Sequence, residues 1–420
     1  MSGLKLSWLE DANDPAGGFP LNNLPFGVFS KDGESPRCAT RLGDHVVDLA
    51  ALEEAGLLTG DFGFAAPDLN AFMARGKATW IAAREQLQEL FAHGADVDRQ
   101  NQIRSLAVLE MGDCTLHLPI KVAEFTDFYA CKNHATNVGT MLRGKDNALP
   151  PNWLHMPIAY NGRASTVVVS GTDIHRPCGQ LKGPQFDAPI FAPSKRLDIE
   201  LELGAVIGGA TTMGDRVSVA DADELIFGYV LLNDWSARDI QAWEYQPLGP
   251  FQAKAFATTI SPWIVTAQAL SDFRISTPER EVPLLDYLCE PGPMLYDIDL
   301  AVSIVPAGSD QETTISRTHC RELFYSAAQQ VAHHTGGGCA MNVGDLLGSG
   351  TISGVGADEC GSMLEMCWGG ERPIQLPNGQ SRTFIEDGDE LILRGEVNAE
   401  GFKLGFGACR GRILPAKTGG

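Results

Sequence analysis

The sequence predicts a mainly β protein with some α-helix. Short runs rich in β-branched and aromatic residues recur along the chain, and turns such as Gly249-Pro250 separate them. These runs do not alternate regularly with helices, which argues against a doubly wound parallel sheet and for a mixed, largely antiparallel architecture. Helical spacing of apolar residues is clear in two stretches, so we expect helices to be the minority.

The amino-terminal region predicts short strands followed by a helix. Residues 27–29 and 46–49 are apolar pieces among Gly, Pro and Asp residues, as expected for strands joined by turns. Residues 68–93 predict one helix, because apolar side chains recur near helical spacing and Gly94 follows as a stop signal.

The remainder of the chain predicts mostly strands. The strand-like runs are residues 165–170, 225–232, 300–305 and 390–393. One helix is expected at residues 321–334, where Gly336 and the glycines after it mark the end.

The length predicts more than one domain. A chain of 420 residues exceeds an ordinary single domain, so two domains are the better expectation. The boundary is expected near residues 110–120, where Pro119 closes a short apolar run. We therefore predict a small domain over residues 1–118 and a larger one over residues 119–420.

The composition indicates which kinds of binding partner and which cellular compartment to expect. The net charge of −21 argues against binding to nucleic acid, whose phosphates demand a basic face. It does not exclude an anionic substrate, because a metal ion and a few placed cations can reverse the local field. Ten cysteines without a C-x-x-C pair favour a reducing compartment. With no basic-then-apolar leader and no long apolar run, we predict a cytoplasmic protein that does not enter a membrane.

Residues 197–203 place two carboxylates on one face of a strand. Polar and apolar residues alternate strictly here, so Glu200 and Glu202 point the same way and the leucines point the other way. One interpretation is a strand face exposed to solvent. The other is a site for a divalent cation, because hard ions such as Ca²⁺ and Mg²⁺ take several carboxylate oxygens.

A second candidate segment begins at the end of an apolar strand. Asp234 lies at that strand end, where functional residues often gather, although it would also serve as a helix N-cap. Downstream, Lys254 is flanked by Phe and Ala residues. It either extends its ammonium group to solvent or neutralises buried acid.

Three further features could carry chemistry. Residues 126–137 hold Asp127, Tyr129 and His134, although a lone histidine is more often structural. Glu365 lies in an apolar, strand-like run, where a buried acid needs a partner such as a histidine. The glycine-rich residues 348–354 predict either an ordinary turn or a backbone approach to a ligand carboxylate.

Together these segments resemble the fumarylacetoacetase family over nearly the whole chain. The matching runs are residues 127–129, 134–137, 151–155, 162–165, 200–202, 233–241 and 349–354, and residues 22–29 resemble the family's amino-terminal segment. Two of these runs are long and unusual in composition, which makes accidental similarity a poor explanation. The departures are residues 131–133 and Asn161, which remove no acid, base or ligand and could touch the rim of the pocket.

The resemblance implies a fold and an assembly. It implies a small SH3-like barrel as the amino-terminal domain and a larger mixed β-sandwich or β-roll domain that carries the site. It also implies a homodimer.

The resemblance further implies the residues of the site. The implied metal ligands are Asp127, Glu200, Glu202 and Asp234, with Lys254 and Thr258 close by. The implied water-activating pair is His134 and Glu365, and the implied oxyanion donors are Arg238, Gln241 and Lys254. The implied substrate contacts are Tyr129, Arg143, Gln241, Tyr245, Gly350 and Thr351. The cofactor would be Mg²⁺ or Ca²⁺, because a carboxylate set suits both ions.

The implied activity is hydrolysis of a carbon–carbon bond in 4-fumarylacetoacetate, which yields fumarate and acetoacetate. This is the last step of tyrosine and phenylalanine catabolism, and the partner is a small diketo acid. Two alternatives remain open. One is a related metal enzyme, such as an acylpyruvate hydrolase or an oxaloacetate decarboxylase. The other is a non-catalytic protein with a structural calcium site.

Overall fold

The computed structural model of the chain describes residues 3–185 and 187–417. Within these residues no helix has both the length and the apolar character needed to cross a membrane. The helices are α1 (Leu49–Glu54), α2 (Asn70–Met73), α3 (Lys77–Phe91), α4 (Val97–Ala107), α5 (Lys132–Arg143), α6 (Val219–Leu225), α7 (Arg238–Glu244), α8 (Gln252–Ala255), α9 (Ala327–Thr335) and α10 (Met363–Met366).

The strands are shorter and more numerous than the helices. In the first half of the chain they are β1 (Phe26–Ser30), β2 (Arg37–Leu42), β3 (His45–Asp48), β4 (Val108–Glu110), β5 (Thr115–Leu116), β6 (Phe125–Phe128), β7 (Ala159–Asn161), β8 (Val167–Val169), β9 (Ile174–His175), β10 (Cys178–Leu181), β11 (Ile190–Pro193), β12 (Leu197–Asp198) and β13 (Leu201–Ile207). In the second half they are β14 (Ile226–Asp234), β15 (Ser236–Ala237), β16 (Thr258–Ile260), β17 (Trp263–Thr266), β18 (Arg274–Ile275), β19 (Leu295–Tyr296), β20 (Asp299–Val305), β21 (Thr313–His319), β22 (Leu346–Gly348), β23 (Ile374–Gln375), β24 (Ser381–Arg382), β25 (Glu390–Ala399) and β26 (Phe402–Leu414).

The largest sheet contains strands from both sides of the predicted domain boundary. Its strands lie in the order β4-β3-β2-β1-β17-β14-β13-β22-β6-β7. The amino-terminal strands join the rest through β1 and β17, which pair antiparallel with Phe26 opposite Ile264. Most neighbours are antiparallel, as predicted, whereas β22 and β6 pair parallel.

A second sheet packs over the first. Its strands lie in the order β21-β20-β25-β26-β9, and β25 and β26 pack against β14 of the large sheet. Fully buried side chains such as Leu231, Leu393 and Phe406 fill the space between the sheets. The prediction of a mainly β protein with a sandwich-like core is therefore confirmed.

A second core lies between the amino-terminal strands and the large sheet. Phe26, Phe72 and Phe227 meet there, and the rings of Phe72 and Phe227 lie edge to face at 5.9 Å. This core is shared by residues on both sides of the predicted boundary near residue 118. The SH3-like barrel and the domain limits stay predictions.

The segment before β1 is tied to the last strand. The backbone N–H of Gly405 donates to the carbonyl of Gly18 at 2.6 Å. The side-chain amide of Asn23 donates to the carbonyls of Gly18 and Gly405, each at 2.9 Å. Residues near the two ends of the chain are therefore joined directly.

Two helix predictions were wrong in their limits. The single helix expected at 68–93 is two helices, α2 and α3, because Gly76 between them has a φ of 84°. The helix expected to begin at 321 begins at Ala327, where Ser326 and Gln329 form a capping box.

Candidate metal and catalytic site

Strand ends from distant parts of the chain collect the acidic side chains. Asp127 lies on β6, Glu202 on β13 and Asp234 at the end of β14, while Glu200 immediately precedes β13. Asp127, Glu200 and Asp234 each offer an oxygen within 4.8 Å of the others. Glu200 and Glu202 are 5% and 0% exposed, so the interpretation of an exposed strand face is excluded.

Two of these carboxylates have an oxygen that nothing satisfies. Asp127 Oδ1 and Glu202 Oε1 are buried and accept no hydrogen bond from the residues that the structure describes. Burial and the neighbouring acids raise the pKa of both groups well above the usual range. A hard divalent cation would satisfy both oxygens and offset the repulsion, so the residues present fit such an ion.

Lys254 neutralises part of the cluster. Its ammonium group donates to Glu200 and, at 2.8 Å, to Asp234 Oδ2. Burial alone would raise the pKa of Glu200, but the charges of Lys254 and Arg238 outweigh it and lower that pKa to about 2. Of the two interpretations of Lys254, the one that pairs it with buried acid is therefore correct.

Asp234 is held by side chains on both of its oxygens. Thr258 Oγ1 donates to Asp234 Oδ1 at 2.8 Å, and Tyr160 OH donates to Asp234 Oδ2 at 2.7 Å. The alternative role of Asp234 as a helix N-cap is wrong, because α7 begins four residues later and its N-cap position is Ala237.

Arg238 links the cluster to α7. Its Nη1 donates to Glu200 Oε1 at 2.7 Å and to Gln241 Oε1 at 3.1 Å, and its Nε donates to Asp198 Oδ2 at 2.8 Å. Its Nη2 is buried and meets no acceptor within the described part of the chain. The Nη2 group of this fixed guanidinium is therefore available to donate to a bound ligand.

His134 and Glu365 form a buried pair. The Nδ1 of His134 lies 2.6 Å from Glu365 Oε2, and its Nε2 lies 4.0 Å from Glu200 Oε1. Because the carboxylate accepts at Nδ1, that nitrogen carries the proton and Nε2 presents its lone pair toward the acidic cluster. Glu365 lies in α10, so its predicted place in a strand-like run was wrong.

Three neutral side chains fix the Glu365 carboxylate. Asn137 donates to its Oε1 at 2.9 Å, while Ser353 and Ser362 donate to its Oε2 at 2.9 and 2.7 Å. Burial would raise the pKa of Glu365, but His134 and these hydrogen bonds lower it below its usual value. The acid therefore stays charged against the imidazole.

Some of the predicted substrate contacts lie beside this pair. The ring of Tyr129 meets the imidazole of His134 edge to face at 5.4 Å. The backbone N–H of Gly350 donates to Glu202 Oε2 at 3.0 Å, and Thr351 Oγ1 is buried without a partner among the described residues. Gly350 has a φ of 77°, and a Cβ there would lie 2.4 Å from the carbonyl of Phe128, so glycine is required.

Other predicted contacts are local in this structure. Arg143 is exposed and donates to the carbonyls of Asn147 and Ala148 at 3.1 and 2.7 Å. Tyr245 is half-buried and accepts from the neighbouring Gln246 at 3.1 Å. Their substrate role stays a prediction.

A cavity of about 210 Å³ opens onto the acidic cluster. Its wall includes Asp234, Lys254, Tyr160, Asn161 and Phe251. Asn161 therefore lines a cavity at the acidic cluster, and its place at the rim of the substrate pocket stays a prediction.

Several residues of the site were not predicted from the sequence, although most of them have a signal there. Asn137 follows His134 by three residues, which is the spacing of neighbours on one helix face. Ser362 precedes Glu365 by three residues, as in the capping pattern S-x-x-E. Asp198 continues the alternation of Glu200 and Glu202, and nothing in the sequence singles out Tyr160.

Comparisons with known proteins match almost the whole chain. Residues 22–119 match the amino-terminal domain of fumarylacetoacetase, and residues 124–414 match the carboxy-terminal domain of fumarylacetoacetate hydrolase. The chain is 46% identical to the fumarylacetoacetase of Bos taurus over 95% of this chain and 96% of that protein. It is 46% identical to the fumarylacetoacetase of Dictyostelium discoideum over 99% of both chains.

Solved structures support the fold alone. A fumarylacetoacetate hydrolase from Exiguobacterium antarcticum is similar with a TM-score of 0.52 and 15% identity, covering 93% of this chain and 99% of that one. A maleylpyruvate hydrolase from Sphingobium has a TM-score of 0.50 and 16% identity, covering 94% of this chain and 100% of that one. On its sequence matches over nearly the full length, the chain belongs to the fumarylacetoacetate hydrolase family.

Proposed function

We propose that this enzyme hydrolyses the carbon–carbon bond of 4-fumarylacetoacetate to fumarate and acetoacetate, the closing step of tyrosine and phenylalanine breakdown. The observation that carries the proposal is the His134–Glu365 pair, buried with its free nitrogen toward an acidic cluster. The fumarylacetoacetases at 45–46% identity supply the substrate.

His134 is the proposed base. Its Nε2 takes a proton from water, whose oxygen then bonds to a ketone carbon of the substrate. Glu365 holds the imidazole in the required tautomer and stabilises the cation that forms, with Asn137 and the two serines keeping it in place.

Fixed hydrogen-bond donors stabilise the negative charge that develops on the attacked oxygen. Arg238 offers its unpartnered Nη2, and we propose Gln241 and Lys254 as further donors. Collapse of the adduct breaks the carbon–carbon bond, and the electron pair leaves with the acetoacetate fragment as an enolate. The proton held by His134 then returns to the carbon of that enolate.

A divalent cation is the proposed cofactor. Asp127, Glu200, Glu202 and Asp234 would hold it, while Lys254 and Thr258 would position the acids from behind. When bound, the ion would supply Lewis acidity at the diketone and offset negative charge on the enolate. An all-oxygen set suits Mg²⁺ and Ca²⁺ alike, and we propose either ion.

Tyr129 and Arg143 are proposed to bind a substrate carboxylate, with Tyr245, Gly350 and Thr351 as further contacts. A small turn of Arg143 away from its backbone partners would free a guanidinium for bidentate binding.

The assembly and compartment are proposed on separate grounds. We propose a homodimer from the family resemblance. We propose a cytoplasmic location, because each of the ten cysteines is free and a reducing compartment keeps them so.

A substrate panel tests the function. The protein is stripped with chelator, restored with Mg²⁺ or Ca²⁺, and assayed by loss of absorbance on fumarylacetoacetate, an acylpyruvate and oxaloacetate. We expect metal-restored turnover of fumarylacetoacetate far above the other two. Turnover of the acylpyruvate alone would move the substrate, and a folded, metal-loaded protein without any turnover would favour a binding role.

A further inference from the structure

Asp198 is a fully buried acid that lies outside the proposed set of ligands and catalysts. It is 0% exposed, and its two oxygens accept four hydrogen bonds. A buried carboxylate with this many donors is fixed in position, so whatever it contacts is fixed as well.

The first group that Asp198 fixes is Arg238. The Nε of Arg238 donates to Asp198 Oδ2 at 2.8 Å, while its Nη1 is taken by Glu200 at 2.7 Å. Two anchors on different nitrogens set the plane of the guanidinium. They leave Nη2, the arm proposed to meet the reacting oxygen, without a protein partner among the described residues.

The second group is the helix turn that carries Glu365. The backbone N–H groups of Met363 and Leu364 donate to Asp198 Oδ1 and Oδ2 at 2.8 and 3.0 Å. These are the first two residues of α10, and Glu365 is the third. The position of the acid that orients His134 therefore depends on the same carboxylate.

We infer that Asp198 is a positioning residue that holds Arg238 and the α10 turn in one arrangement, so that oxyanion donor and base orienter are set together. The inference rests on the proposed function for its kinetic consequence, but the arrangement itself can be measured without substrate.

Asp198→Asn is the first test. The amide places N–H groups where one oxygen now accepts, so either Arg238 and Leu364 or Ile199 and Met363 lose their acceptor. We expect kcat on fumarylacetoacetate to fall on the order of a hundredfold, the scale for a lost or misplaced oxyanion donor. KM and the affinity for Mg²⁺ should stay within about threefold, because neither the metal ligands nor the substrate contacts are changed.

Asp389→Asn is the matched control. Asp389 is also 0% exposed, pairs with Arg382 at 2.8 and 2.9 Å and accepts two backbone N–H groups, but it lies outside the site. If replacing any buried acid lowered kcat by disturbing the fold, kcat would fall in both variants. A positioning role predicts the loss of kcat for Asp198→Asn alone.

A second pair of variants leaves Asp198 intact. Met363→Pro removes the N–H that Asp198 accepts, at the first helical position, where proline is tolerated. Met363→Ala loses similar packing and keeps the N–H. We expect kcat to be at least tenfold lower for Met363→Pro than for Met363→Ala, and equal values would overturn the link to α10.

Two readouts separate positioning from support of the fold. In the double variant with Arg238→Ala, Asp198→Asn should lower kcat less than it does in the wild type, because the part of its effect that acts through Arg238 is already lost, whereas independent effects would multiply. The Arg238 Nε–H resonance, assigned by its absence in Arg238→Ala, should exchange rapidly in Asp198→Ala, which removes both acceptor oxygens, and stay protected in Asp389→Ala. A protected resonance in folded Asp198→Ala or retained kcat in folded Asp198→Asn would overturn the inference, while failure of the wild type on fumarylacetoacetate would overturn the function alone.

Discussion

At the scale of single residues, the site depends on pairs in which one member fixes the other. His134 is a useful base because Glu365 holds its Nδ1, and Glu365 stays charged because Asn137 and two serines donate to it. Arg238 and Lys254 keep Glu200 ionised in the same way. Removing one member should therefore have effects that its partner reports.

His134→Ala should lower kcat by three orders of magnitude or more, because the variant lacks the imidazole that accepts the proton of water and that Glu365 orients. Metal content by elemental analysis and the melting temperature should stay near the wild-type values. His333→Ala, on α9 and bonded to Tyr287, is the control and should keep full turnover. Retained activity in His134→Ala would remove His134 from the role of base.

Asp345→Asn should stabilise the protein at neutral pH. Burial is the main cause that raises the pKa of Asp345, to about 6, above that of the unfolded chain. The protonated Asp345 therefore stabilises the folded state at low pH, and this stabilisation is lost as the pH rises from about 4 through 6. Asparagine does not ionise, so the variant does not lose stability in this way. Its free energy of unfolding in urea should exceed that of the wild type by about 1–3 kcal/mol at pH 8, and the difference should shrink toward pH 5. A gain that is the same at pH 5 and pH 8 would contradict this account.

The charged residues of the site are easier to predict from the sequence than the residues that position them. The alternation around Glu200 and Glu202 shows that they share a face, but not that the face is buried. Burial depends on strands from elsewhere in the chain, such as β22, which packs Gly348 against both Glu202 and Asp127. Tyr160 carries no local pattern, because its partner Asp234 is distant in sequence.

At the scale of elements, strand positions followed from composition, while helix limits depended on caps. The apolar run at 300–305 lies within β20, and the run at 225–232 lies within β14 except for Leu225, which ends α6. The predicted helix limits were wrong at Gly76, where a positive φ interrupts the helix, and at Ser326, where a capping box sets the helix start. Both signals are visible in the sequence but compete with apolar periodicity that runs past them.

Gly139→Ala tests the packing of α5 against the loop that follows it. A Cβ at this position would lie 1.8 Å from the carbonyl of Ala148, which also accepts from Arg143. The loop must move, so we expect a loss of about 1–3 kcal/mol of stability and a rise in KM larger than the fall in kcat. Gly112→Ala is the control, because its Cβ would meet nothing within 4 Å. A normal melting temperature for Gly139→Ala would contradict this packing.

At the scale of the whole molecule, the predicted boundary near residue 118 divides the sequence but not the core. Phe26 and Phe72 pack on Phe227, and β1 extends the large sheet at β17. The order of strands in that sheet could not be derived from the sequence, because pairing between β1 and β17 joins segments more than 200 residues apart.

A fragment of residues 119–420 should therefore not fold by itself. It would expose Phe227 and Ile264, and each such side chain contributes about 1.5–3 kcal/mol when buried. We expect the fragment to elute as aggregate in size-exclusion chromatography, and co-expression with residues 1–118 to restore a soluble, folded pair. A monodisperse fragment with a cooperative thermal transition would show that the larger domain is independent.

The bonds that join Asn23 to Gly405 also bear on when the protein can fold. The two residues are 382 positions apart, so the partner of Asn23 leaves the ribosome long after Asn23 does. At about 5–20 residues per second, the delay is roughly 20–80 s. During that time the side-chain amide of Asn23 lacks its acceptor on Gly405, and the edge of β1 that pairs with β17 stays open until β17 emerges. The nascent amino-terminal segment is therefore expected to need a chaperone while these late partners are missing.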